Sequence, residues 1–186
     1  MTAALRREGT HPVIHRCVGS YLDFFQLEYH RVVRFLMCCG ADQQTAEDAA
    51  QEAFVEGWRM VTAGTWGSVG NQQGWIRRIA LNAYRRPRGQ KRRQLPVSHG
   101  VDLPDRPEPG PGHEELTVQS RTVLAALAQL SDDQRHVMAL HLDGYSSAEA
   151  AQLLGLQDQK ARDLLKGARR KLRRILSPAE PAERKG

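Results

Sequence analysis

Cations are the commonest of the side chains in this sequence that could do chemistry, with 27 Lys and Arg against 21 Asp and Glu. The run ALNAYRRPRGQKRR, residues 80–93, holds Arg85, Arg86, Arg88, Lys91, Arg92 and Arg93, and no Asp or Glu occurs between Gly57 and Val101. A second block, Lys160 to Arg174, sets eight Lys and Arg against one acid, Asp163. Clustered cations of this kind form a footprint for a polyanion. Nucleic acid fits better than a lipid surface, because no Trp/Phe/Leu-rich face lies beside the charge. Negative charge is concentrated too: Asp42, Glu47, Asp48, Glu52 and Glu56 fall within residues 42–56, with no Lys or Arg among them. Blocks of opposite sign predict two kinds of partner.

Other chemistries have weaker support. A metal-dependent enzyme or zinc sensor would draw on His11, His15, Cys17, His30, Cys38 and Cys39, and their spacing matches no familiar zinc set. Cys38 and Cys39 close an apolar stretch and read as small packing residues. No nucleophile–base pair and no phosphate loop stand out, so no catalysis, metal or cofactor is expected. Three cysteines, two of them adjacent, do not make a disulfide framework. No run approaches 18 apolar residues, and MTAALRREGTHPVIHR lacks the apolar core of a secretory signal. The expectation is a soluble cytoplasmic protein.

The elements that must position these charges follow from periodicity. A length of 186 residues at net charge +6 allows one medium domain or two small ones. Residues 95–112, LPVSHGVDLPDRPEPGPG, contain five prolines and three glycines, a composition that cannot form a helix interior and has little to bury. This segment divides the chain into an extension (1–19), an N-terminal module (20–94), the linker (95–112), a C-terminal module (113–177) and a tail (178–186). Extended at about 3.1 Å per residue, the linker would span roughly 55 Å.

In the N-terminal module, Phe25, Tyr29, Val32, Val33, Leu36 and Met37 recur at helical spacing, and Gly40 can end that helix. Ala46, Ala49, Ala50, Ala53, Phe54, Gly57, Trp58 and Val61 make the clearest stripe, begun by Gln44 or Thr45, with small residues that permit close helix approach. After the loop TAGTWGSVGNQQ, Trp75, Ile76, Ile79, Ala80 and Ala83 mark a third helix ending near Arg85. The C-terminal module shows four helical stretches. Ser131 is expected to cap the second, and Ser146 with Glu149 forms a capping box for a short third. Gly155 makes a turn, and Asp158 is expected to cap a fourth helix with Ala161, Leu164, Leu165, Ala168, Leu172 and Ile175 on one face. A short helix, a glycine turn and a longer basic helix make a helix-turn-helix. The fold class is therefore all-α, two small helical modules joined by a Pro/Gly-rich linker.

Two separated stretches carry a family likeness. TAEDAAQEAFVEGWR followed by GWIRRIALNAYRR resembles region 2 of bacterial extracytoplasmic-function (ECF) sigma factors. LSDDQRHVMALHLDGYSSAEAAQLLGLQDQKARDLLKGARRKLRRIL resembles their region 4, and the likeness spans roughly residues 20–177. It implies docking of region 2 on the β′ coiled coil of core RNA polymerase, through the positions of Asp48, Gln51 and Glu52. It also implies recognition and melting of the −10 promoter box by Trp66, Arg77, Arg78, Asn82, Tyr84, Arg85 and Arg86. Arg77 and Arg78 would hold phosphates, and Trp66 and Tyr84 would stack on unpaired bases. Trp75 reads as core rather than stacking platform. Region 4 is implied to read the −35 box and touch the β flap, with Gln159, Lys160, Arg162, Asp163, Lys166 and Arg169 off the apolar stripe of the recognition helix. Two departures stand out. Pro87 interrupts a helix that is often longer in relatives, and Asp163 with Leu164 replaces the family's small polar and basic residues. The family also implies an anti-sigma partner. The rival reading is a stand-alone helix-turn-helix regulator that binds duplex DNA without polymerase.

Overall fold

The computed structural model describes residues 12–86 and 118–177, with side chains from Val18 and from Ser120 onward. The linker 95–112, the basic run beyond Arg86 and the tail lie outside the described residues. Seven α-helices and no strand occur among the described residues: α1 Pro12–Cys38, α2 Gln43–Thr62, α3 Gln72–Arg85, α4 Val118–Ala128, α5 Asp132–Leu142, α6 Ser147–Leu154 and α7 Asp158–Leu176. A 3-10 turn, Trp66–Ser68, joins α2 to α3.

Local chemistry sets the helix ends. Asp42, not Gln44 or Thr45, caps α2, because its carboxylate accepts from the Thr45 backbone N–H. Asn71 caps α3 by accepting from Gly74 N–H at 2.8 Å. Ser131 and Ser146 both complete capping boxes, with Gln134 and Glu149 respectively. Gly155 closes α6 in the left-handed region at φ 67°, where a side chain would be strained. Gln157 rather than Asp158 occupies the N-cap of α7, and Asp158 is the first helical residue, where the helix dipole still favours its charge. The first helix begins at Pro12, inside the segment expected as an extension.

The alanine stripe of α2 lies where its spacing predicts. Ala46, Ala49, Ala50, Ala53, Phe54, Gly57 and Val61 are all buried. A Cβ at Gly57 would sit 2.6 Å from the Tyr21 hydroxyl oxygen. That hydroxyl donates to the Phe54 carbonyl, so glycine is what lets α1 and α2 close to this distance. Tyr21, Phe24, Phe25, Tyr29 and Phe54 fill the space between them with tilted and edge-to-face rings.

The larger core does not stop at the module boundary. Ala139, Leu140 and Ala150 of the C-terminal module are buried in the same cluster as Tyr29, Phe54 and Ile76, with Tyr145, Leu153 and Leu154 packed at its edge. A smaller cluster, Leu127, Leu130, Val137, Met138, Leu165 and Ala168, is built from the C-terminal module, with Cys38 of α1 packed at its edge. Contacts of α1 with α4 and α5, and of α3 with α6, hold the two modules together. The two modules expected from the sequence thus share an apolar seam. Apolar surface left over on two small modules is removed from water by pressing the modules against each other.

Candidate nucleic-acid interface

Three charged faces come from these helices. On α2, Asp48 and Gln51 are exposed, and Glu52 is partly covered, on the side away from the buried alanines. Gln44 donates to Asp48 at 3.0 Å. Arg86, just past α3, pairs with Glu52 at 2.6 Å. On α7, Gln159, Lys160, Arg162, Asp163, Lys166 and Arg169 are all exposed, while Ala161, Leu165 and Ala168 are buried. Gln159 and Lys160 also line a shallow depression with Gln134, Gln157, Asp163 and Leu164. Gln159 donates to the Asp163 carboxylate at 3.1 Å, which partly engages this acid among the cations. Arg169 Nη2 lies 2.6 Å from His141 Nε2, and His141 Nδ1 lies 3.3 Å from the Tyr145 carbonyl. Arginine only donates, so in a neutral ring Nε2 accepts and the proton sits on Nδ1.

The third face, α3 and the turn before it, departs from expectation. Arg78 and Asn82 are exposed and Tyr84 is half-buried, as contact residues should be. Trp66 is buried instead, edge-to-face against Tyr21, Phe24 and Trp75. Its indole belongs to the aromatic cluster and cannot stack on a base in this arrangement. Trp75, expected as core, is half-buried on the same cluster. Arg77 is 3% exposed and faces carboxylates rather than solvent. Its Nη1 lies 2.9 Å from Glu28 Oε2 and donates to the Gln73 carbonyl at 3.0 Å. Its Nε donates to Asp143 Oδ2 in the α5–α6 turn, and the Tyr145 ring lies 5.5 Å beneath the guanidinium carbon. Burial works against the Arg77 cation. The Asp143 hydrogen bond, with the charges of Asp143, Tyr145 and Glu28, outweighs burial and raises its pKa above the ordinary value. The phosphate role expected for Arg77 is thus taken by internal carboxylates here.

Arg85 is drawn across the same seam. Its Nη2 lies 2.7 Å from Nδ1 of His136 on α5. His136 is buried, and burial followed by the Arg85 charge lowers its pKa to about 4, so the neutral ring accepts from the arginine. Glu28 and Asp143 are the residues that sequence reasoning missed. Glu28 leaves a signal, since an acid three residues after Phe25 and four before Val32 falls on the apolar stripe of α1. Asp143, beside Gly144, reads only as a turn residue. Among the described residues, no group of three or more His, Cys, Asp or Glu could hold a metal ion.

Comparison with known proteins places the two modules. A sigma-70 region 2 family model matches residues 24–94, and a sigma-70 region 4 family model matches residues 120–172. The probable RNA polymerase sigma factor RfaY of Xanthomonas campestris pv. campestris is 30% identical over 170 residues, covering 86% of this chain and 41% of that protein. The ECF RNA polymerase sigma factor SigM of Mycobacterium tuberculosis is 27% identical over 163 residues, covering 84% and 77%. The chain thus spans less than half the length of the Xanthomonas relative. Among solved structures, CnrH in complex with the cytosolic domain of CnrY aligns with TM-score 0.62 at 19% identity, covering 88% of this chain and 94% of that one. The sigma factor RpoE in complex with the anti-sigma factor NepR from Bartonella quintana aligns with TM-score 0.60 at 23% identity, covering 85% and 99%. At these identities the structural likeness shows the fold.

Proposed function

We propose that this chain, which belongs to the sigma-70 family and within it to the extracytoplasmic-function group, binds core RNA polymerase and directs it to promoters. The observation that carries this reading is the pairing of two differently charged faces in one chain. An acid-bearing α2 face precedes the basic α3, and a separate helix-turn-helix presents all of its expected DNA-facing side chains to solvent. Asp48, Gln51 and Glu52 dock on the β′ coiled coil, where carboxylates meet basic partner residues. Arg78, Asn82 and Tyr84 contact the opened −10 strand, joined by Arg85 and Arg86 once these leave His136 and Glu52. Trp66 and Arg77 take part only if their present burial is relieved. Gln159, Lys160, Arg162 and Asp163, early in α7, reach −35 base edges, while Lys166 and Arg169 hold phosphates.

An anti-sigma factor is proposed as a second partner, on the likeness to a sigma factor held by one in its solved structure. A cytoplasmic location is proposed with this function; among the described residues no helix is long and apolar enough to cross a membrane. No catalysis by this chain is proposed. The test is the triple replacement Asp48→Ala, Gln51→Ala and Glu52→Ala in the full chain. Core-polymerase binding should fall sharply, while helicity measured by circular dichroism stays unchanged. Normal binding by the triple variant would remove the docking assignment, and failure of the unaltered chain to bind core would favour a stand-alone DNA-binding regulator.

A further inference from the structure

The contacts of Arg77 divide between the two modules. Glu28 on α1 and the Gln73 carbonyl on α3 hold its Nη1 from within the N-terminal module. Only Asp143, on the α5–α6 turn, engages its Nε from the C-terminal module. Glu28 also accepts from Arg31 at 3.1 Å and from Gln73 Nε2 at 3.0 Å. The group Arg31, Arg77, Glu28 and Asp143 therefore balances two cations with two carboxylates. Withdrawal of the C-terminal module removes the Asp143 carboxylate and the Tyr145 ring from Arg77. Arg77 stays held by its own module, with Nε vacated, and the site carries one unmatched positive charge. Arg77 keeps Glu28 but its Nε loses an anionic acceptor, so the opened site has a free donor for another anion. The position sits on α3, beside the exposed Arg78.

We propose that Asp143 is an internal stand-in for a DNA phosphate, which latches the two modules into a closed form of the free chain until nucleic acid displaces it from Arg77. A carboxylate oxygen and a phosphate oxygen make the same charge-assisted contact with a guanidinium N–H, so the two compete for one donor. The other seam contacts work in the same direction. His136 holds Arg85, and Leu153 of α6 packs over Gly74, where a Cβ would sit 3.0 Å from its methyl group. The closed form thus occupies arginines that the promoter strand needs, and binding DNA and opening the seam are one linked equilibrium. This inference rests on the promoter reading of α3.

Asp143→Asn is the natural test, because it keeps shape and polarity while removing the charge. Dyes carried on non-natural residues at the exposed positions of Thr62 and Ser177 would report the separation of the modules by energy transfer in the full chain. The unaltered protein should show high transfer and Asp143→Asn lower transfer, with unchanged circular dichroism, while Asp143→Glu should restore the closed value. If about a tenth of the free protein is open, releasing the latch should tighten binding of a 20-nucleotide single-stranded DNA of mixed sequence by about tenfold. The same oligonucleotide added to the unaltered protein should lower its transfer towards the Asp143→Asn value. Equal transfer and equal affinity in the two proteins would overturn the latch. An open Asp143→Asn protein that binds the oligonucleotide no better would overturn the phosphate competition. Should Asp143→Asn fail to fold, Leu153→Ser must produce the same opening and the same gain in affinity, or the proposal falls. Failure of the unaltered chain to bind core polymerase would sink the sigma reading, yet leave the transfer difference standing.

Discussion

Helices α3 and α7 are both basic, both amphipathic and both expected to face DNA, yet they present their cations in opposite ways. On α7, three small or apolar positions, Ala161, Leu165 and Ala168, turn inward, and the expected contact residues stand in solvent. On α3, Arg77 is as deeply buried as its apolar neighbours Ile76 and Leu81. The difference is the number of sides covered. Helix α7 packs on α4, α5 and α6 and leaves its outer face open, whereas α3 lies between α1 and α2 on one side and α6 on the other. A cation on a singly covered helix stays hydrated. A cation on a doubly covered one must find carboxylates or be expelled. Basic charge on a helix therefore marks two different things here: a free surface on α7, and on α3 a joint between modules.

The largest expected effect breaks the joint. Glu28→Ala removes the carboxylate that meets Arg77, Arg31 and Gln73 and should cost about 3–5 kcal/mol, because the buried Arg77 loses one of its two carboxylates and Gln73 its acceptor. Removing one acid of α7, Asp163→Ala, should change stability by no more than about 0.5 kcal/mol, since that residue is exposed. Urea denaturation of both variants decides the matter. Similar midpoints would mean that the charges of α3 carry no more structural weight than those of α7.

Acidification should come next. Above pH 6.5 His136 is neutral whether folded or unfolded, and its contribution is fully present. As pH falls from about 6.5 towards its folded value of about 4, the unfolded chain takes up the proton first and the fold loses stability. The loss from this group is on the order of 3 kcal/mol once both states are protonated. Arg85 on α3 and Arg135 on α5 act with burial, while Asp132 and Asp133 oppose it. A His136→Gln variant should show a shallower fall in unfolding free energy over this window, and an unchanged pH profile would exclude His136 as the sensor.

The smallest effect on stability should come from α7 itself. Arg162→Ala with Lys166→Ala should leave the unfolding midpoint within about 0.5 kcal/mol of the original. The same pair should reduce the slope of log affinity against log salt for duplex DNA by about 2, if each side chain neutralises one phosphate. An unchanged salt slope would show that the exposed cations of α7 do not touch the backbone.

Much of this arrangement was legible in the sequence, for a local reason. The stripe of Ala46, Ala49, Ala50 and Ala53, the capping box at Ser146 and Glu149, and the turn at Gly155 each depend on neighbours within about one helical turn, and the structure has them where spacing puts them. The exposed residues of α7 were legible for the same reason, since one apolar stripe defines the other face. The family likeness implies stacking by Trp66, and an aromatic in a glycine-rich loop carries no periodicity that would mark it as core. Its partners Tyr21 and Phe24 lie some forty positions earlier in the chain.

The sequence by itself determined an all-helical chain with two modules, a helix-turn-helix, an acidic face on α2 and two basic helices, because helical period, capping chemistry and charge density are properties of short segments. Only the tertiary structure decided which cations are free. Arg77 and Arg78 are adjacent and chemically identical, yet one is buried among Glu28, Asp143 and Tyr145 while the other is exposed. Their separation depends on a contact between residues 66 positions apart, and the free energy of a charge depends on what surrounds it in space.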